Sequence, residues 1–192
     1  MKKTYSITDA TLPAQIRHGA IGILPTDTIY GIVADAFNMR AVERVYQAKG
    51  RSPKKPCIIL VDSPEAITGF GVPPEQIAKV SQYWPGAVSV IFWDIAEELA
   101  YLHRGTHSLS FRVPADETLR GFLANTGPII APSANKEGQL SAKNIQEAMA
   151  AFGDLADFYV DGGQLVGEPS TLIRIEPNDS LTILRQGSQK IQ

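Results

Sequence analysis

Apolar positions along this 192-residue chain follow two rhythms that take turns. Runs that are apolar throughout, or at every second position, predict strands; apolar residues three and four apart predict helices. The strand-like runs are "AIGIL" (20–24), which breaks at Pro25, "CIILV" (57–61), "AVSVIFW" (87–93), "SLSFRV" (108–113), "PIIA" (128–131), "DFYV" (157–160), "STLIRI" (170–175) and "LTILR" (181–185). Helical patterns lie between them. "TLPAQIRHG" ends at Gly19. "NMRAVERVYQAKG" offers Asn38 as N-cap and Gly50 at the C-cap position. Ser63 and Pro64 read as the cap and first residue of another helix. "PPEQIAKVSQYW" (73–84) and "DETLRGFLANTG" (116–127) follow, and "SAKNIQEAMAAFG" reads as a capped helix from Ser141 to Gly153. The interleaving predicts one α/β domain over residues 1–192, with helices flanking a twisted mixed sheet.

Charge narrows the possible ligands. Eighteen basic residues face twenty acidic ones, a net charge of −2. A protein that grips nucleic acid along a whole face is usually basic, so general nucleic-acid binding is not expected. The balance is uneven, however. Residues 1–60 hold nine Lys/Arg against four Asp/Glu, and residues 61–192 hold nine against sixteen. The excess peaks at "KGRSPKKP" (49–56), a loop stiffened by two prolines. So local a concentration suits a small anion. No apolar run is long enough for a membrane span, and the N-terminus lacks the apolar core of a signal peptide. Cys57 is the only cysteine, which excludes an intramolecular disulfide and fits a cytoplasmic location.

The common nucleotide motifs are missing: no P-loop, no G-x-G-x-x-G, and no G-x-S-x-G elbow. His103 and His107 in "HRGTH" read as an exposed loop pair without a Cys or Glu at zinc-ligand spacing, so no metal site is expected. Three stretches concentrate polar chemistry. "LPTDTIYG" (24–31) sets Thr26, Asp27, Thr28 and Tyr30 at a strand end. The basic loop sets Lys49 and Arg51 around a glycine, so that both can face one anion. "IIAPSANKEGQLS" (129–141) leads through Ser133 and Asn135 to Ser141, whose helix start would seat a phosphate. Taken alone, each also reads as a self-bonded turn or a solvated charged loop. "SLSFRVP" places Ser108, Ser110 and Arg112 on one strand face. Ser170 and Arg185 mark a strand start and a strand end, and Arg185 on a central strand would need an anionic partner. Several cations and many hydroxyls, without an obvious nucleophile–base pair, are the inventory of a site that positions and neutralises phosphates.

"PTDTIYG", "KGR", "WPG", "FRVP", "PSAN…G…S", "EPST" and "ILRQG" occur in one order along nearly the whole chain. In that order they resemble the YrdC-type threonylcarbamoyl-AMP synthases, in the short single-domain form. The resemblance implies a YrdC-like fold with a basic concave cavity. It implies a nucleotidyltransferase that converts L-threonine, bicarbonate and ATP, with Mg²⁺ and no organic cofactor, to threonylcarbamoyl-AMP and pyrophosphate. A threonylcarbamoyl transferase complex would then modify adenosine 37 of ANN-decoding tRNAs, with possible tRNA contact by this chain. Carried over by motif, the catalytic residues are Lys49, Arg51, Ser133 and Asn135. ATP contacts fall on Arg51, Lys55, Ser108, Ser133, Ser141 and Arg185. Threonine contacts fall on Thr28, Arg112, Ala131 through its backbone, and Ser170. Lys54 receives no contact. The chain departs from the family pattern at Leu60, where some long members have a histidine, at Lys136 and Glu137, and at Leu140. Two other readings stand beside it. One is a relative that uses carbamoyl phosphate, whose accompanying modules are not in this sequence. The other is a non-catalytic RNA-binding module, against which the KxR and SxN pairs argue.

Overall fold

The computed structural model describes residues 4–191 apart from Pro177 and Asp179. In chain order its elements are β1 (Thr4–Tyr5), α1 (Leu12–Arg17), β2 (Gly22–Pro25), β3 (Tyr30–Asp35), α2 (Met39–Lys49), β4 (Ile58–Leu60) and α3 (Pro74–Val80). There follow β5 (Val88–Phe92), α4 (Ala100–His103), β6 (Leu109–Arg112), α5 (Glu117–Thr126), β7 (Ile129–Ile130), α6 (Ile145–Phe152), β8 (Phe158–Val160), β9 (Thr171–Ile175) and β10 (Leu181–Arg185). The strands form one sheet in the order β1-β8-β2-β3-β7-β4-β6-β5-β9-β10. Strands β4 and β6, and β5 and β9, pair parallel; β2 with β3 and β5 with β6 pair antiparallel. The mixed sheet agrees with the expectation. Among the described residues no helix is long and apolar enough to cross a membrane.

The near-continuous apolar runs have a simple cause: both faces of the central strands are covered, so successive residues serve different cores. Ile23, Ile32, Ile59 and Ile130 join a large cluster with Val42, Val45 and Tyr46 of α2. Their neighbours Leu24, Val33, Leu60 and Ile129 join a smaller cluster under Leu12 and Ile16 of α1 and Leu119, Phe122 and Leu123 of α5. That second layer of helices is short. It covers the β8–β2–β3–β7 half of its face and leaves Ile58, Ser110, Ile91 and Leu172 of β4, β6, β5 and β9 lining an open cavity.

The caps of α2 are as expected. The Asn38 side chain accepts the Ala41 N–H, and Gly50 ends the helix at φ 61°, a conformation that favours glycine. Three other expectations need correction, and one strand lies outside the predicted runs. "YGIVAD" is strand β3, obscured by the polar turn before it. Residues Pro64–Phe70 form a 3₁₀ helix, and Ser63 makes no capping hydrogen bond. Helix α6 begins at Ile145, not at Ser141. Asn144 accepts the Glu147 N–H, and Glu147 returns its carboxylate to the Lys143 N–H. This reciprocal cap satisfies the helix start and leaves Ser141 in the preceding loop. Finally, β10 is an edge strand, and Arg185 is exposed on it.

Gly22 on β2 lies opposite Phe158 on β8. A methyl group there would sit 2.3 Å from ring carbons of Phe158, which is fully buried and has nowhere to move. Gly22→Ala is therefore expected to lower stability by about 1–3 kcal/mol, read as a lower urea midpoint; an unchanged midpoint would contradict this packing.

Candidate active site

The uncovered half of the sheet is the floor of a cavity of about 500 Å³, within the range of small-molecule sites. Its walls come from the loop after β2, the basic loop after α2, the segment after β7 and the chain before β9. Arg112 emerges from the floor at one end. It is 4% exposed. Its Nη1 donates to Thr28 Oγ1 (3.0 Å), and its Nη2 lies 3.2 Å from Asp27 Oδ1. Asp27 Oδ2 accepts the Ala115 N–H. Thr26 spends its hydroxyl hydrogen on the Ile29 carbonyl, so Thr28 donates to Thr26 and accepts from Arg112. Arg112 is thereby aimed by two groups of the "PTDT" turn. Burial lowers the pKa of its guanidinium, and Asp27 offsets that shift. Arg112 Nε and Asp27 Oδ1 lack a hydrogen-bond partner among the described residues. A buried pair with unmet valences readily accepts a further polar ligand.

The basic loop forms the opposing wall. Arg51 donates from Nε and Nη2 to the carbonyls of Lys55 and Pro56, which folds its side chain back onto its own loop. Lys54 and Lys55 line the cavity beside it, although the sequence assigned Lys54 no contact. Lys49 is 2% exposed and lies behind the wall. Its ammonium donates to the carbonyl of Ser133, to that of Asn135 (2.7 Å) and to Asn135 Oδ1 (3.3 Å). Burial, then Arg51, brings its pKa down to about 8. The Ser133 hydroxyl also donates to Asn135 Oδ1. The KxR and SxN pairs therefore interlock: Arg51 and Ser133 line the cavity, while Lys49 and Asn135 hold them from behind.

The other predicted residues gather in the same cavity: Thr28, Ser108, Ala131, Ser141, Ser170 and Arg185 all line it. Ser170 shares a hydrogen bond with the buried Ser89 on β5 (2.9 Å). Arg185 does not take the carboxylate partner expected for a central strand. From its edge position it donates Nε and Nη2 to the Ser170 carbonyl. Leu60 is fully buried in the smaller core and does not line the cavity. Sequence reasoning missed Thr106, whose hydroxyl bonds that of Ser108 (3.0 Å), although it continues the strand's period of two. It also missed the roles of Ser89 and Asp27. Asp27 stood out in its motif, but its partner is Arg112, far along the chain.

The histidine pair needs correction too. His103 is fully buried at the end of α4, and Glu97 Oε2 lies 3.7 Å from both His103 Nε2 and His107 Nδ1. His103 Nδ1 accepts the N–H groups of Gly105 and His107, so its own proton sits on Nε2. That nitrogen presents an N–H toward Glu97, not the lone pair a metal ion needs.

A mixed sheet, half uncovered, with a caged arginine facing a basic loop, defines an α/β domain with a basic cavity. Residues 14–187 match the Sua5/YciO/YrdC family, described under telomere recombination, and the chain belongs to that family. A putative threonylcarbamoyl-AMP synthase of Mycobacterium leprae is 32% identical over 187 residues, 93% of this chain and 82% of that protein. The threonylcarbamoyl-AMP synthase of Bacillus subtilis is 29% identical and matches 93% of this chain and 53% of its own length. The crystal structure of Pyrococcus abyssi Sua5 complexed with L-threonine superimposes with a TM-score of 0.82 at 30% identity, over 92% of this chain. This chain spans about half of that longer protein, 53%. Escherichia coli YciO shares the fold at a TM-score of 0.81 and 18% identity. The curated relatives mark the chain as an enzyme of the nucleotidyltransferase kind.

Lys49 makes a pH signature. Between pH 8 and its ordinary value of 10.5 the unfolded chain holds a proton on this lysine that the folded chain has lost. Stability due to Lys49 therefore rises with pH across that window. Relative to Lys49→Met, the wild-type protein should gain on the order of 1–2 kcal/mol between about pH 8 and pH 9.5. Urea melts at both pH values check this, and parallel pH profiles for the two proteins would contradict it.

Proposed function

We propose that this chain is a threonylcarbamoyl-AMP synthase that uses L-threonine, bicarbonate and ATP. The observation that carries the reading is the juxtaposition in one cavity of Arg112, caged by Asp27 and Thr28, and the Arg51–Lys55 loop. The guanidinium of Arg112 suits an amino-acid carboxylate in a fork, and the Thr28 and Ser170 hydroxyls suit the remaining polar groups of threonine. Arg51, Lys54, Lys55 and Arg185 line the same cavity, and their charges suit a triphosphate.

The threonine amine attacks bicarbonate carbon and water leaves, giving a carbamate. A carbamate oxygen then attacks the α-phosphorus, the bond from that phosphorus to the bridging oxygen of the β-phosphate breaks, and pyrophosphate departs. Carboxylate, carbamate and triphosphate must therefore share one small space. Unit charges of like sign at 4 Å repel by about 4 kcal/mol at an intermediate effective dielectric. The cations of the two walls offset that repulsion, and they do so most where charge builds on the leaving pyrophosphate. Among the described residues no Asp or Glu lines the cavity, so a Mg²⁺ ion would be held by the phosphates of its substrate and by water. Among the described residues the lining also lacks Cys and His, which suits direct transfer between bound substrates without a covalent enzyme intermediate. The product is a mixed anhydride, the activated donor that a transferase complex acting on adenosine 37 of tRNA consumes.

Purified protein with MgATP, bicarbonate and L-threonine should release pyrophosphate only when threonine is present. Threonine-independent release would overturn the reading. Arg112→Lys exchanges the fork for a single point of attachment. It should raise KM for threonine about 10- to 100-fold, the value of a charge-assisted hydrogen bond, with the circular dichroism unchanged.

A further inference from the structure

One carboxylate at the site has no role in the reaction proposed above. Glu137 follows the SxN pair, and its side chain reaches across to the basic loop. Its Oε1 lies 2.7 Å from Lys55 Nζ, and its Oε2 accepts the backbone N–H of Ser52. An ammonium and a backbone N–H converging on two oxygens of one anion are the donor set that proteins offer to phosphate. Lys55 lines the cavity, so the same cation faces both Glu137 and the incoming ligand.

The carboxylate is placed by its backbone, not by chance contact of a long side chain. The Glu137 N–H donates to the Lys49 carbonyl (3.0 Å), and Lys136 Nζ donates to the Ala48 carbonyl. Asn135 Nδ2 donates to the carbonyls of Lys136 and Gln139, which closes the 135–139 turn beneath it.

We propose that Glu137 occupies the seat of a phosphate oxygen on the basic loop, formed by the Ser52 N–H and the Lys55 ammonium, and that a nucleotide triphosphate displaces it on binding. This inference rests on the assignment of the cavity to ATP. Its consequence is a lowered affinity for the triphosphate. A ligand gains from this seat only the difference between its own charge density and that of one carboxylate. A triphosphate carries enough charge to win the exchange, while a nucleoside monophosphate, which ends at the α-phosphate, does not reach it. Glu137 is thus an affinity-determining residue: it lowers the affinity for the triphosphate and leaves that for a monophosphate unchanged.

Glu137→Gln removes the charge and keeps an acceptor for Ser52. Calorimetric titration with the magnesium complex of α,β-methylene-ATP, which cannot react, should show about two- to fivefold tighter binding to this variant, the scale of an exposed ion pair. AMP binding should stay the same. The gain should vanish when Lys55→Ala is present in both proteins. Unchanged or weaker binding of the triphosphate by Glu137→Gln overturns the proposal, as does a gain that persists without Lys55. A wild-type protein that does not bind the nucleotide at all overturns the ATP assignment along with it.

Discussion

The architecture of the site hangs on one buried ammonium. Lys49 ends α2 with its charge among the carbonyls of Ser133 and Asn135 and the Asn135 side chain. A lysine has three hydrogens to donate, and three oxygens meet them. Taking that charge out of water is costly, as its lowered pKa records, and only a complete set of acceptors sustains it. The acceptors belong to the segment after β7, while the lysine belongs to the helix that launches the basic loop. One interaction therefore sets the distance between two walls of the cavity, and Arg51 and Ser133 face the interior because Lys49 and Asn135 do not.

The same economy appears in the other cations. Arg112 has Asp27 and Thr28, Lys55 has Glu137, Arg185 has the Ser170 carbonyl, and Arg51 has two carbonyls of its own loop. None of these four is an isolated charge waiting for a ligand. Each is held in one orientation by protein oxygens that leave part of its donor capacity unused, so substrate meets dipoles and charges already in position. This arrangement lets a chain of net charge −2 present a strongly basic cavity. The compensating carboxylates, Asp27 and Glu137, sit beside the cations they pair with.

Much of the fold was legible because its physical causes are local. Asn38 and Gly50 bracket α2 by cap chemistry that acts within a turn, and paired apolar residues such as Ile59 and Leu60 must serve two cores if a strand is buried on both faces. Errors arose where local signals compete. Ser141 and Asn144 are both good caps, and Glu147 decides between them by reaching back. "YGIVAD" was hidden because the polar residues before it are turn-formers, while its strand character comes from pairing with β2 and β7. The place of β10 at the sheet edge follows from strand order, which no local pattern encodes.

For the site, the motifs named the residues and left their roles undecided. The sequence by itself determined that hydroxyls, amides and cations recur at the ends of apolar runs, since residue type and spacing are local properties. It also determined that residues 1–60 carry an excess of basic residues and residues 61–192 an excess of acidic ones. Only the tertiary structure decided that Asp27 cages Arg112, that Lys49 serves Ser133, that His103 is buried against Glu97, and that Glu137 answers Lys55. Each of these depends on where a side chain's charge or hydrogen finds its partner. A buried polar group takes that partner from whatever the sheet brings alongside, and strand order, not distance along the chain, sets the neighbours.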